Sequence, residues 1–148
     1  MEKKANVKKQ GELKMRVLVP LLSKKEDREE FVEQFTSKAK EIILLIVIDT
    51  AAMSGQFGFA AGEIAQANIL MQKMKAAIGK KRKTCEDIIE WGDTATKIEH
   101  LAMLRNVDKI YMVKQENQFS KKLLRELGEK LPKLEIEEVK LEEEKKKK

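Results

Sequence analysis

Residues 41–50 read EIILLIVIDT, seven consecutive apolar residues followed by an aspartate and a threonine. Isoleucine and valine crowd the turns of a helix but sit well on a pleated surface, so this stretch is expected to be a strand. Its apolar residues do not alternate with polar ones, which means that both faces are covered. A central strand of a parallel sheet, with helices on either side, has this signature. The rest of the chain can be placed by asking what lies beside this strand and what covers it.

At 148 residues the chain has the size of one domain able to bury a core without cross-links. A lone cysteine, Cys85, excludes an internal disulfide, and its apolar neighbourhood points to a small core residue rather than a nucleophile. No apolar run approaches the roughly 20 residues needed to span a bilayer, and no apolar segment follows the N-terminal lysines. A cytoplasmic location and no membrane partner are expected. Charged residues, mostly lysine and glutamate, make up 38% of the chain, the kind of surface found in proteins from hot environments. A thermophilic source is therefore expected. The net charge is +6, but part of the excess lies in Lys3, Lys4, Lys8 and Lys9 and in the terminal KKKK. Such diffuse charge raises non-specific affinity for nucleic acid without marking a recognition surface, and no specific nucleic-acid partner is expected.

Residues 1–13 are polar and aperiodic and read as a basic, mobile arm; residues 14–142 read as one α/β domain and 143–148 as a charged tail. The first strand is expected at 15–22, MRVLVPLL, with Pro20 near its end, where a missing ladder donor does least harm. Ser23 and Glu26 have the S-x-x-E spacing of a capping box, which predicts a helix running to about Lys40 with Phe31, Val32, Phe35 and Ala39 inward.

Beyond Asp49 and Thr50, the stretch AAMSGQFGFAAGE contains Gly55, Gly58 and Gly62. Its amides could hold an anion at the next helix start. The spacing matches neither a P-loop nor a dinucleotide fingerprint, so a strand-to-helix connection is the reading adopted, with Phe57 and Phe59 covering the sheet edge. Residues 60–80 keep a helical period through Ile64, Ala67, Leu70, Met71, Met74 and Ile78, ending at Gly79. A third strand at 83–91 is less regular, which suits a place near an edge. Asp93 is a plausible N-cap for a helix over 94–105 whose inner face carries Ile98, Leu101, Ala102 and Arg105. His100 falls off that face, and as the only histidine it excludes a two-histidine metal site.

A fourth strand follows at 109–114, then a helix carrying Leu123, Leu124, Leu127 and Leu131 and stopped by Pro132. The fifth strand, 134–141, changes apolar phase between Ile136 and Val139, which predicts a bulge or an edge position. Strict alternation of strands and helices gives a doubly wound, five-stranded parallel sheet with helices on both faces. Ligands of such sheets bind beyond the C-terminal strand ends, where the winding reverses.

From about Lys14 to Leu141 the chain resembles the universal stress protein family. The resemblance rests on the opening MRVLVPLL, the order and lengths of the elements, and the stretch EWGDTATKIEHLAMLRNVDKIYMV with Gly92, Ile98, Ala102 and Asp108 at the family's positions. It implies strand order 3-2-1-4-5, a cleft between the first and fourth strands, and a homodimer through the fifth strand. Members that bind ATP have an aspartate after the first strand that contacts adenine, and a G-x2-G-x9-G-(S/T) loop after the fourth that cradles phosphates. Here the first position is Leu22, with Leu21 beside it, and the second is KQENQFSKK, which has no glycine. Phosphate cradles need close backbone approach, which glycine permits.

No serine or cysteine has a histidine base in a recognisable motif, and no carboxylate pair stands apart from the acidic surface, so neither a catalytic residue nor a metal is expected. The expected function is a non-enzymatic stress-response or regulatory domain acting through dimerisation and contacts with a protein partner. The alternative is a site for ATP or AMP with a reduced phosphate loop, using the start of the helix after Gln118. The cleft candidates are Leu21, Leu22, Asp49, Lys114, Gln115, Asn117, Ser120 and Lys121. Asp49 either meets a ligand or caps the loop that follows it.

Overall fold

The computed structural model of the protein describes residues 15–49 and 58–142. The elements are β1 (Arg16–Pro20), α1 (Glu29–Thr36), β2 (Glu41–Ile48), α2 (Ile64–Lys80), β3 (Cys85–Trp91), α3 (Thr94–Leu104), β4 (Lys109–Val113), α4 (Gln118–Lys130) and β5 (Glu135–Val139). All strand pairs are parallel, in the order β3-β2-β1-β4-β5. This is the expected doubly wound α/β sheet, with β1 and β4 side by side where the winding reverses.

The continuous apolar run of β2 divides by parity. Ile42, Leu44, Ile46 and Ile48 join one core with Val17, Val19 and Leu21 of the first strand region and Tyr111 and Val113 of β4. Phe31, Val32 and Phe35 of α1 and Ala67, Leu70, Met71, Met74 and Ile78 of α2 cover that face. The other parity, Ile43, Leu45 and Val47, packs with Leu18, Leu22, Ile110 and Met112 beneath α3 and α4. A period of two on a strand covered on both sides requires this division.

Several boundaries differ from those expected. The ladder of β2 stops at Ile48, and Thr50 lies outside the described residues. The Ser23–Glu26 pair does not open a helix. Glu26 Oε2 accepts the N–H groups of Leu22 (2.9 Å) and Ser23 (2.8 Å), which closes a turn and delays α1 to Glu29. Gly79 remains inside α2. The helix is closed by Arg82 in the left-handed region (φ 62), with Arg82 N–H donating to Gly79 O and Lys83 N–H to Ile78 O. That is a Schellman motif. Asn106 (φ 55) closes α3 in the same way, with Val107 N–H on Ala102 O.

Phe59 is in the core and forms a parallel bridge with Ile48, rather than covering an edge; Phe57 and Gly55 lie outside the described residues. Cys85 is half-buried at the edge strand β3, and burial pushes its thiol pKa up, which disfavours the thiolate. Arg105, expected inward, turns to Glu86 (Nη2 to Oε2, 2.6 Å). His100 is exposed. The phase change in the fifth strand reflects its edge position, since its register with β4 runs unbroken from Glu135 to Val139. Among the described residues, no helix is long and apolar enough to cross a membrane.

Candidate functional site

The C-terminal ends of β1 and β4 define the place where a ligand of this fold would sit. At the end of β1 the strand's alternation continues past the last ladder pair. Leu21 N–H donates to Leu45 O (2.9 Å) and Gly58 N–H donates to Leu22 O (2.8 Å). Leu21 and Leu22 are both buried, on opposite faces of the sheet. They form an apolar floor.

The acid at this strand end is Glu26, which sequence reasoning took only for a capping residue. It is fully buried, and burial raises its pKa above the ordinary carboxylate value while the N–H groups of Ser23 and Leu22 oppose the rise. Its Oε1 has no hydrogen-bond partner among the described residues. Beside it Lys24 adopts a left-handed backbone (φ 68) and reaches Glu63 Oε2 at 3.1 Å, with its ammonium 5.1 Å from the centre of the Phe59 ring. This ties the loop after β1 to the start of α2.

Asp49 is the last described residue after β2, and the loop it was expected to cap lies outside the described residues. Its Oδ2 accepts the N–H (3.1 Å) and hydroxyl (2.8 Å) of Thr94. The first N–H groups of a helix lack partners within it, and Asp49 supplies one from a neighbouring strand. Asp93, as expected, is the N-cap of α3, accepting Thr96 N–H at 2.9 Å, and those hydrogen bonds hold its carboxyl below the usual range.

Between β4 and α4 only residues 114–117 intervene. Lys114 N–H continues the sheet by donating to Val139 O (2.9 Å). Asn117 is the N-cap of α4, its Oδ1 accepting Ser120 N–H at 2.8 Å. Asn117 Nδ2 then points back to Gln115 Oε1 (3.3 Å). The Ser120 side chain is buried, and Lys121 is exposed with its N–H on Asn117 O.

A cavity of about 520 Å³ opens beside this connection, lined by Ser23, Lys25 and Arg28 before α1, by Val113 to Asn117, and by Lys140, Leu141 and Glu142 after β5. Of the expected cleft residues it gathers Lys114, Gln115 and Asn117. Leu21, Leu22, Asp49, Ser120 and Lys121 are not in its lining. Lys25, Arg28 and Lys140 were not legible as site residues, because they come from segments more than a hundred positions apart. A second cavity of similar size lies at the opposite strand ends, where Arg16 and Arg105 are already paired with Glu41 and Glu86. Among the described residues no group of three or more histidine, cysteine or acidic side chains is placed to hold a metal ion.

No protein-family model matches the chain, and no curated protein matches it in sequence. Solved structures do. Hypothetical protein MJ0577 is 19% identical with a TM-score of 0.61, over 87% of this chain and 97% of that one. Universal stress protein UspA from Lactobacillus plantarum is 14% identical with a TM-score of 0.57, over 86% and 97%. The universal stress protein from Archaeoglobus fulgidus in complex with dAMP is 11% identical with a TM-score of 0.56, over 88% and 99%. With the same strand order and helices on both faces, the chain carries the fold of the universal stress proteins.

Proposed function

We propose that this protein is a non-enzymatic, cytoplasmic stress-response or regulatory domain that works through self-association and contacts with another protein, without holding ATP at the end of β4. The observation that carries this reading is the connection into α4. It is four residues long, has no glycine, and its helix start is already occupied, since Asn117 takes the Ser120 N–H. A triphosphate cradle needs several free backbone amides converging on the anion. The side chains of Leu21 and Leu22 offer no polar atom to an adenine edge.

Self-association is assigned to the outer edge of β5, which no other strand pairs among the described residues. Ile136 and Val139 there are half-buried on opposite faces, and a second copy would complete their cover. Sedimentation equilibrium tests this. Val139 O accepts the Lys114 N–H just past β4, so by alternation the N–H of Glu138 faces the outer edge. A dimer that dissociates when Glu138 is replaced by proline, which removes that edge donor, is the expected result, and a monomer at all concentrations contradicts it.

The second reading is an adenine nucleotide site with a reduced loop. The cavity beside Lys114 and Gln115 favours it, and one of the similar structures is a complex with dAMP. Calorimetric titration separates the two. The first reading predicts that ATP binds no more tightly than tripolyphosphate, because adenosine contributes nothing; an adenosine-dependent gain supports the second.

A further inference from the structure

We propose that the N-terminal arm of this chain, residues 1–14, docks on the end of α3, with Leu13 against Met103 and Leu104. Those two are the most exposed large apolar side chains among the described residues, 64% and 73% exposed. The face of α3 that meets the sheet is made by Ile98, Leu101 and Ala102, which are buried. Packing of the helix onto the sheet therefore does not require Met103 or Leu104 to be apolar. An exposed last turn is ordinarily polar, and cations are favoured there by the helix dipole. This one has no basic residue, and Arg105 just beyond it is turned to Glu86.

The surface beside the two side chains is concave. A groove of about 320 Å³ runs from Ala102 and Met103 past Val107 to Leu131, Pro132 and Leu134. It adjoins the cavity at the N-terminal strand ends, since Asn106 lines both and Leu104 lines that cavity. A contiguous exposed apolar patch of this kind marks a surface that another segment covers.

The occupant follows from where the described chain begins. Arg16 N–H donates to Asp108 Oδ2 (2.8 Å), Asp108 N–H to Arg16 O (2.7 Å) and Arg16 Nη1 to Arg105 O (2.8 Å). These bonds fix the exit of the arm within a few residues of Leu104 and Asn106. Leu13 lies three residues before Arg16, about 10 Å of extended chain, so it reaches the patch without crossing the molecule. Val7 comes within about 20 Å more, with Lys8 and Lys9 between them. Residues 1–14 carry five lysines against two glutamates, and so bring the cations that the last turn of α3 lacks. The C-terminal tail leaves from the opposite end of the sheet, beyond β5, and does not compete for this place.

Disulfide trapping in the full chain, with Cys85→Ser removing the native thiol, tests the docking. Leu13→Cys paired with Leu104→Cys should cross-link within one chain at least about tenfold faster than Leu13→Cys paired with Lys40→Cys, because docking raises the effective concentration of the two thiols. Lys40 is the control because it is exposed and its N–H donates to Met15 O at 2.9 Å, beside the same exit but off the patch. Equal rates mean an undocked arm and overturn the proposal. Cross-links between chains mean that a second copy covers the patch, and overturn it as well. A cycle without cysteines gives a second check. The losses in urea midpoint from Leu13→Ala and Leu104→Ala should sum to more than the loss in the double variant, and additive losses overturn the contact. Neither readout involves the outer edge of β5, so self-association can fail while the docking of the arm stands, and the reverse.

Discussion

Asn117 Oδ1 accepts the backbone N–H of Ser120 at 2.8 Å, at the start of the helix that leaves the sheet beside the β1–β4 junction. A helix start there is the natural receptor for an anion in a fold of this kind. In this chain it is occupied by the protein's own side chain. Asn117→Ala should therefore cost about 1 kcal/mol of stability, as loss of a cap usually does, and Asn117→Gly only a few tenths. Chemical denaturation checks both, and Asn117→Asp, which keeps the acceptor, should be near neutral.

Asp49 and Thr94 bind the end of β2 to the start of α3 through two hydrogen bonds on one carboxylate oxygen. Bonds to a charged acceptor contribute roughly 1.5–3 kcal/mol. Asp49→Ala should destabilise by that order, and a double-mutant cycle with Thr94→Ala should show coupling above about 0.5 kcal/mol. Additive losses would mean that the pair does not act as a unit.

Arg82 closes α2 in a left-handed conformation (φ 62) and is exposed. A side chain in that region carries a steric cost of about 1–2 kcal/mol. Arg82→Gly should stabilise the protein by somewhat less, because glycine also gains freedom in the unfolded chain. A rise in the denaturation midpoint is expected.

Glu26 has a folded-state pKa raised by burial above its ordinary 4.5. The folded state then holds the proton more tightly than the unfolded state, so stability falls as pH rises from that ordinary value through the raised one. Above the window the buried carboxylate remains a constant burden. Glu26→Gln keeps an oxygen for the Leu22 and Ser23 amides and removes the charge. It should flatten the pH dependence between mildly acidic and neutral conditions and be more stable than wild type at pH 7, measured by urea denaturation across that range.

The architecture was legible because its signals are local or periodic. The apolar run 42–48 could only be a strand covered twice, and alternating elements around it left little choice of topology. Asp93 was readable as a cap for the same reason. Boundaries were less so. Ser23 and Glu26 have capping spacing, yet the carboxylate turned back to Leu22 and Ser23, and Arg82 rather than Gly79 closed α2. The cavity was partly readable: Lys114, Gln115 and Asn117 follow a strand whose end faces the ligand position. Arg28 and Lys140 join them only because β5 lies beside β4 and the segment after it hydrogen-bonds to Arg28 and Glu30. Nothing periodic in the sequence encodes that meeting.

The most direct measurement is calorimetric titration of ATP, AMP and tripolyphosphate into protein stripped of co-purified nucleotide, with and without magnesium. The occupied helix start and the apolar end of β1 predict that ATP binds no more tightly than tripolyphosphate and that AMP gives no more heat than phosphate. Micromolar, magnesium-sensitive binding of ATP that tripolyphosphate does not reproduce would contradict the account.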